Sequence, residues 1–138
     1  MRIRVKNTSI IQIQRIKDRQ DGDLFVAELE KNIPFLIKRF FFVNIPNRKG
    51  VQRGFHAHKH FRQVVFCLNG SFRLHLDDGK TQQDIMMNDP SRGVLLGTRL
   101  WHTMTHFSFP CTLLVLASHL YDEDDYIRDY DVFLRGSL

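Results

Sequence analysis

Cysteine is scarce in this chain of 138 residues: only Cys67 and Cys111 occur, too few for the disulfide framework of a small secreted domain. Each lies in an apolar run of strand type. They read as buried free thiols in a reducing compartment, with a bridge between neighbouring strands as the alternative. No apolar run reaches membrane length and no signal peptide is visible, so a cytoplasmic protein with no membrane partner is expected. The basic residues are scattered and keep no spacing against aromatics of the kind that marks RNA or DNA binding, so no nucleic-acid partner is expected. Helical periodicity is also missing. Nothing before residue 121 is long enough to cross a parallel sheet.

What the chain does contain is aromatic and β-branched. Hydrophobic residues make up 43% of it and twelve are Phe, which excludes disorder and points to one domain, residues 1–138, with a dense aromatic core. The net charge of +5 and the sequence pI near 9.5 favour an anionic partner, because a basic surface concentrates phosphates.

Short strands follow one another. A first is expected near Ile10–Ile16, where apolar and polar residues alternate. After the charged turn Lys17–Asp23 comes another over Leu24–Glu28. Phe35–Val43 (FLIKRFFFV) is a third, with one of Lys38 and Arg39 facing inward, since neighbouring strand residues face opposite sides. Gln63–Leu68 ends in the turn dipeptide Asn69-Gly70. Phe72–Leu76 and Thr81–Met87 flank Asp77-Asp78-Gly79-Lys80 as a β-hairpin. Val94–Leu96, Leu100–Phe107 and Cys111–Ser118 complete an antiparallel sandwich or barrel. Tyr121–Leu134 (YDEDDYIRDYDVFL) differs: its acidic start and the spacing of Tyr126, Tyr130, Phe133 and Leu134 predict a short C-terminal helix.

Between Gly50 and Gly70 lies the stretch GVQRGFHAHKHFRQVVFCLNG. On a strand His56, His58 and His60 share one face. The spacing Gly50, five residues, His56-x-His58, four residues, Gln63, six residues, Gly70 resembles the first cupin motif, which holds a metal through two histidines and a glutamate. Here Gln63 replaces the glutamate. The second motif is represented by LLGTRLWHTM (Leu95–Met104), without its usual proline and glycine, and His102 stands as a displaced third histidine. The resemblance implies an all-β cupin, a double-stranded β-helix or jelly-roll barrel, here with a short C-terminal helix and no metal, because a neutral amide takes the place of the anionic ligand.

RGFHAHK (Arg53–Lys59), VVFCLNGS (Val64–Ser71), LDDG (Leu76–Gly79), LWH (Leu100–His102), LLVLAS (Leu113–Ser118), YDEDDYIRDYDVFL and, upstream, NIPFLIKR (Asn32–Arg39) resemble the thymidine-diphosphate-linked 4-keto-6-deoxyglucose 3,4-ketoisomerases. That resemblance implies an isomerase with no cofactor, moving a ketone from C4 to C3 on the way to dideoxy aminosugars. It also implies a homodimer with exchanged N-terminal strands. The shift needs a base for the C3 proton and an acid for C4, and an imidazole near neutral pKa serves both. His56 is assigned as the principal base and His58 as the group handling the oxygen or the second proton, with His60 left at the rim. Arg39 and Arg53 are the candidates for clamping the pyrophosphate, because guanidinium offers planar paired donors. Gln63, Trp101 and His102 are the expected sugar contacts, Gln63 alternatively orienting His58.

Two departures stand out. Phe41 and Phe42 occupy the place of a tyrosine pair, and Asp21 precedes Gly22 where arginine or tyrosine is usual, which leaves the C4 configuration of the product open. The rival readings are a non-catalytic cupin that binds a sugar nucleotide or regulatory ligand, a metal-dependent oxygenase, and a sugar epimerase. The epimerase would need a strand tyrosine, and Tyr121, Tyr126 and Tyr130 all fall in the terminal segment.

Overall fold

The computed structural model describes residues 1–18 and 20–136. In chain order the strands are β1 (Thr8–Gln12), β2 (Gln14–Asp18), β3 (Gly22–Val26), β4 (Arg39–Asn44), β5 (Arg53–His58) and β6 (Gln63–Asn69). They continue with β7 (Phe72–Asp77), β8 (Gln82–Met87), β9 (Arg92–Leu96), β10 (Trp101–Thr105) and β11 (Thr112–Ala117). A 3₁₀ turn (Glu123–Asp125), β12 (Tyr126–Ile127) and the helix α1 (Tyr130–Leu134) close the chain. One sheet has the order β1-β9-β6-β11-β4 and the facing sheet β12-β5-β10-β7-β8, while β2 and β3 form a hairpin of their own. All described pairings between named strands are antiparallel, which agrees with a jelly-roll sandwich.

The alternation read from the sequence places the core. Inward residues of the two sheets, among them Val65, Val94, Leu74, Leu76, Phe72 and Ile85, are fully buried. The β7–β8 hairpin pairs Asp77 with Gln82 around the expected turn. There the Asp78 carboxylate accepts from the backbone N–H groups of Lys80 and Thr81, the local bonding that makes Asp a turn residue.

Three expectations change. The first strand breaks at Ile13, which is buried and donates its N–H to the Ser91 carbonyl at 2.9 Å, so β1 stays in the sheet while β2 leaves with the hairpin. Arg19, in the charged turn of that hairpin, lies outside the described residues. Residues 35–38 lie outside β4. Instead Ile33 and Phe35 cap the outer face of the first sheet, covering Val64 and Phe66.

The third change is in the C-terminal segment, where helix is confined to Tyr130–Leu134. Tyr126 and Ile127 pair with His58 and Ala57 as an edge strand. Local helical preference loses to two tertiary gains, the pairing of an otherwise open β5 edge and the three hydrogen bonds that the Asp125 carboxylate accepts from His58, His60 and Phe61. The helix that remains starts at Asp129, whose side chain accepts from the N–H groups of Asp131 and Val132, an ordinary N-cap. Among the described residues, no helix is long and apolar enough to cross a membrane.

Candidate active site

A cavity of about 370 Å³ opens between the sheets, with Arg39, Arg53, His56, Gln63 and His102 among its lining residues. A larger cleft of about 460 Å³ between residues 46–52 and 105–109 contains none of His56, His58 and His102 in its lining.

Strand β5 reaches the cavity through an irregularity. Its register with β10 shifts between His102 and Thr103. Gly54 has φ +86°, and a Cβ there would lie 2.8 Å from the His102 carbonyl oxygen, so only glycine admits this approach of the two strands. Phe55 follows with φ +63°, an uncommon conformation for a bulky residue. The distortion sets His56 opposite His102, with ring centroids 4.7 Å apart, as bulges beside active sites do when they re-aim a side chain.

Each of three imidazoles has a defined tautomer. Nδ1–H of His56 donates to the Gly54 carbonyl at 3.1 Å, that of His102 to the Leu100 carbonyl at 3.2 Å, and that of His58 to the Asp125 carboxylate at 3.0 Å. Because these partners only accept, Nε2 of each ring keeps its lone pair. Burial pushes the His56 pKa down to about 2, helped by His102, His58 and Arg128. His102 falls to about 4 for the same first reason, with His58 contributing. His58 is also lowered by burial, although Asp125 opposes the shift. All three rings are therefore neutral at pH 7.

One ring nitrogen from each of the three lies within 4.8 Å of one from each of the others. An ion bound here would be held by His56, His58 and His102, imidazoles that suit a divalent transition metal and could polarise a carbonyl oxygen. The neighbouring Gln63 adds no anionic ligand.

Arg39 also lines the cavity. Its Nε donates to the His119 carbonyl at 3.4 Å, and its buried Nη2 has no hydrogen-bond partner among the described residues. A buried guanidinium nitrogen in that condition calls for an acceptor from a ligand. Arg53 is exposed at the rim and Lys38 points to solvent, so the cation expected to face inward is Arg39.

Not every expected residue reaches the cavity. His58 is 2% exposed and sits behind His56, with ring centroids 5.0 Å apart. His60 lies beyond the end of β5 and is exposed, its N–H donating to Asp125, so the three histidines do not share one strand face. Trp101 points the other way from His102 and packs on Tyr130 and Phe133. The expectation that it contacts sugar is corrected by strand alternation itself: if His102 faces the cavity, its neighbour cannot.

Four residues went unassigned in the sequence. Asp125, 3% exposed, accepts from His58, His60 and Phe61. Tyr121 and Arg128 stand at the cavity wall, Arg128 bonded to Glu123 at 2.9 Å. Tyr126 has its ring centroid 4.9 Å from His56 and 4.5 Å from His58. A strand tyrosine is thus present beside the histidines, contrary to expectation. The acidic run that suggested a helix start was the available signal for Asp125, but which of its four acids turns inward is a tertiary matter.

Comparison with known proteins bears on the family and the fold. The family described as FdtA: WxcM-like, C-terminal, matches residues 6–137. A TDP-4-oxo-6-deoxy-alpha-D-glucose-3,4-oxoisomerase of Aneurinibacillus thermoaerophilus is 48% identical over 125 residues, covering 90% of this chain and 88% of that protein. A mutant of the 3,4-ketoisomerase QdtA of Thermoanaerobacterium thermosaccharolyticum, solved in complex with TDP-4-keto-6-deoxyglucose, superposes with a TM-score of 0.90 at 39% identity over 95% of this chain and 94% of that one. The TDP-quinovose 3,4-ketoisomerase WlaRB of Campylobacter jejuni gives 0.88 at 40% identity, over 96% and 100%. The 4-keto-6-deoxy sugar epimerase NovW of Streptomyces spheroides, at 18% identity and 0.76 over 91% of this chain and 70% of that one, shares the fold.

Proposed function

The chain belongs to the FdtA family of WxcM-like, C-terminal proteins, and from that premise we propose that this isomerase converts a TDP-linked 4-keto-6-deoxyglucose to its 3-keto isomer, a step towards dideoxy aminosugars. The observation that carries the reading is the pairing, in one cavity, of a neutral His56 holding a free Nε2 lone pair with an Arg39 whose buried Nη2 lacks an acceptor. The first is a base and the second an anion site, as a keto sugar on a diphosphate requires.

His56 Nε2 removes the C3 proton, acidic because it is alpha to the C4 carbonyl, and the resulting imidazolium returns a proton to C4. His58 is a positioning residue: Asp125 fixes its tautomer, and its ring stands edge-on to His56. His102 and Gln63 line the sugar end, while Arg39 and Arg53 meet the diphosphate, joined by Arg128. Every step is a proton transfer among these side chains and the sugar. The relatives' names support the substrate, and the 18% identity of the epimerase makes that rival less apt.

The active unit is a homodimer. Phe40 and Phe42 of β4 are 64% and 58% exposed and Leu36, ahead of that strand, is 61% exposed, large apolar side chains of the kind a partner covers, and the β2–β3 hairpin is mostly exposed and available for exchange. Light scattering should give about twice the 16.3 kDa chain mass.

Incubation with TDP-4-keto-6-deoxyglucose in deuterated water, followed by NMR, should show the 3-keto product with deuterium at C4. Ligand binding without product would instead favour the non-catalytic binding domain.

A further inference from the structure

The three clustered imidazoles, two on the cavity wall and His58 behind them, share a feature that leaves the chemistry incomplete. Every Nδ1–H is committed, to Gly54, Asp125 or Leu100, so His56 and His102, the two rings that line the cavity, offer it lone pairs and no N–H. A 3,4-keto shift moves two protons, one between carbons and one between oxygens, and the second needs a group able both to give and to take a proton. Arginine gives none up near neutral pH, and an amide such as Gln63 does not exchange one usefully.

Among the described residues lining the cavity, only Tyr121 and Tyr126 carry a hydroxyl. The three tyrosines of the chain are not equivalent. Tyr121 donates its hydroxyl to Glu123, and Tyr130 donates to Asp77 at 2.5 Å. The Tyr126 hydroxyl makes no hydrogen bond among the described residues. Its ring lies edge-on to both His56 and His58, and the Arg128 guanidinium carbon sits 4.3 Å from its centroid. Strand pairing of Tyr126 with His58 fixes that place.

We propose that Tyr126 is a catalytic residue that carries the oxygen proton of the isomerisation, while His56 carries the carbon proton; this rests on the ketoisomerase reading. As His56 takes the proton from C3, the phenol gives its proton to O4, and the C3–H electron pair becomes the C3=C4 bond of an enediol. The Tyr126 phenolate then takes the proton from O3, the electron pair folds into the C3 carbonyl, and C4 takes a proton from the His56 imidazolium, whose own proton has exchanged with solvent. Both groups return to their starting states, and no oxidant or co-reactant is needed. Arg128, over the ring, stabilises the transient phenolate.

The test is Tyr126→Phe in the full-length protein, assayed with TDP-4-keto-6-deoxyglucose in deuterated water beside the wild type. Product formation should fall about 100-fold or more with KM within about threefold, while recovered substrate still gains deuterium at C3 because His56 works without the phenol. Turnover within threefold of wild type overturns the proposal. So does loss of C3 exchange together with turnover in a variant that still binds TDP. Should that variant fail to fold, 3-fluorotyrosine at 126 keeps the shape and acidifies the phenol. The alkaline limb of kcat should then move to lower pH, and an unmoved limb counts against the proposal. Absence of any product from the wild type overturns the ketoisomerase reading itself, a result distinct from failure of the Tyr126 variants alone.

Discussion

The two ends of the space between the sheets are built on the same strands and do opposite things. Along β6 the inward positions run Gln63, Val65, Cys67, and along β10 His102 is followed inward by Met104. At the closed end Leu74, Phe72 and Ile85 are fully buried, and burial pushes the Cys67 thiol up to about 12, which keeps it an inert hydrophobe. Both cysteines are free there. At the open end the same burial leaves the imidazoles neutral and an arginine nitrogen without an acceptor. Low dielectric thus rigidifies one end and sets protonation states at the other. The difference teaches that stability and chemistry are divided along each strand, two residues apart.

The division can be broken experimentally. The largest expected effect is His56→Asn, which should lower turnover by about 10²–10⁴-fold while TDP binding stays measurable by calorimetry; near-normal turnover would remove His56 from the mechanism. Leu74→Ala at the closed end should cost about 2–5 kcal/mol of stability by denaturant unfolding and leave KM unchanged, and a comparable loss of affinity would show that the two ends are coupled. Arg39→Ala should raise KM about 10- to 100-fold, the worth of a charge-assisted hydrogen bond, with a smaller change in kcat. The smallest effect is in pH. Because the pKa values of His56 and His102 are held below 6.5, the competent neutral forms persist as pH falls, so the acid limb of kcat/KM should lie well under pH 6.5. Unfolded histidines do take up protons near 6.5, so the stability these groups contribute is complete above that pH and lost as pH drops towards their folded values. Thermal melts should therefore weaken over a range where activity still holds.

Much of this arrangement was legible in the residues. Turn dipeptides located the β7–β8 hairpin and alternation called for one inward cation of Lys38 and Arg39, because those signals are local, while the choice of Arg39 came from the fold. The histidine spacing marked the site, yet it did not distinguish His56 on the cavity wall from His58 behind it. That distinction depends on the bulge at Gly54 and Phe55 and on Asp125, 67 residues away from His58. The Trp101 error had a local remedy, since adjacent strand residues cannot both face one cavity.

The C-terminal segment shows the limit most clearly. An all-β chain, its two-faced strands and a closely spaced set of histidines could be read from period, spacing and residue chemistry, and the family from the resemblance of its ordered motifs. Only the tertiary fold has YDEDDYIRDYDVFL yield Tyr126 and Ile127 to an edge strand, because pairing the open edge of β5 and the hydrogen bonds to the Asp125 carboxylate outweigh a weak helical preference. That choice carries Tyr126 from an expected outer helix to the wall of the site.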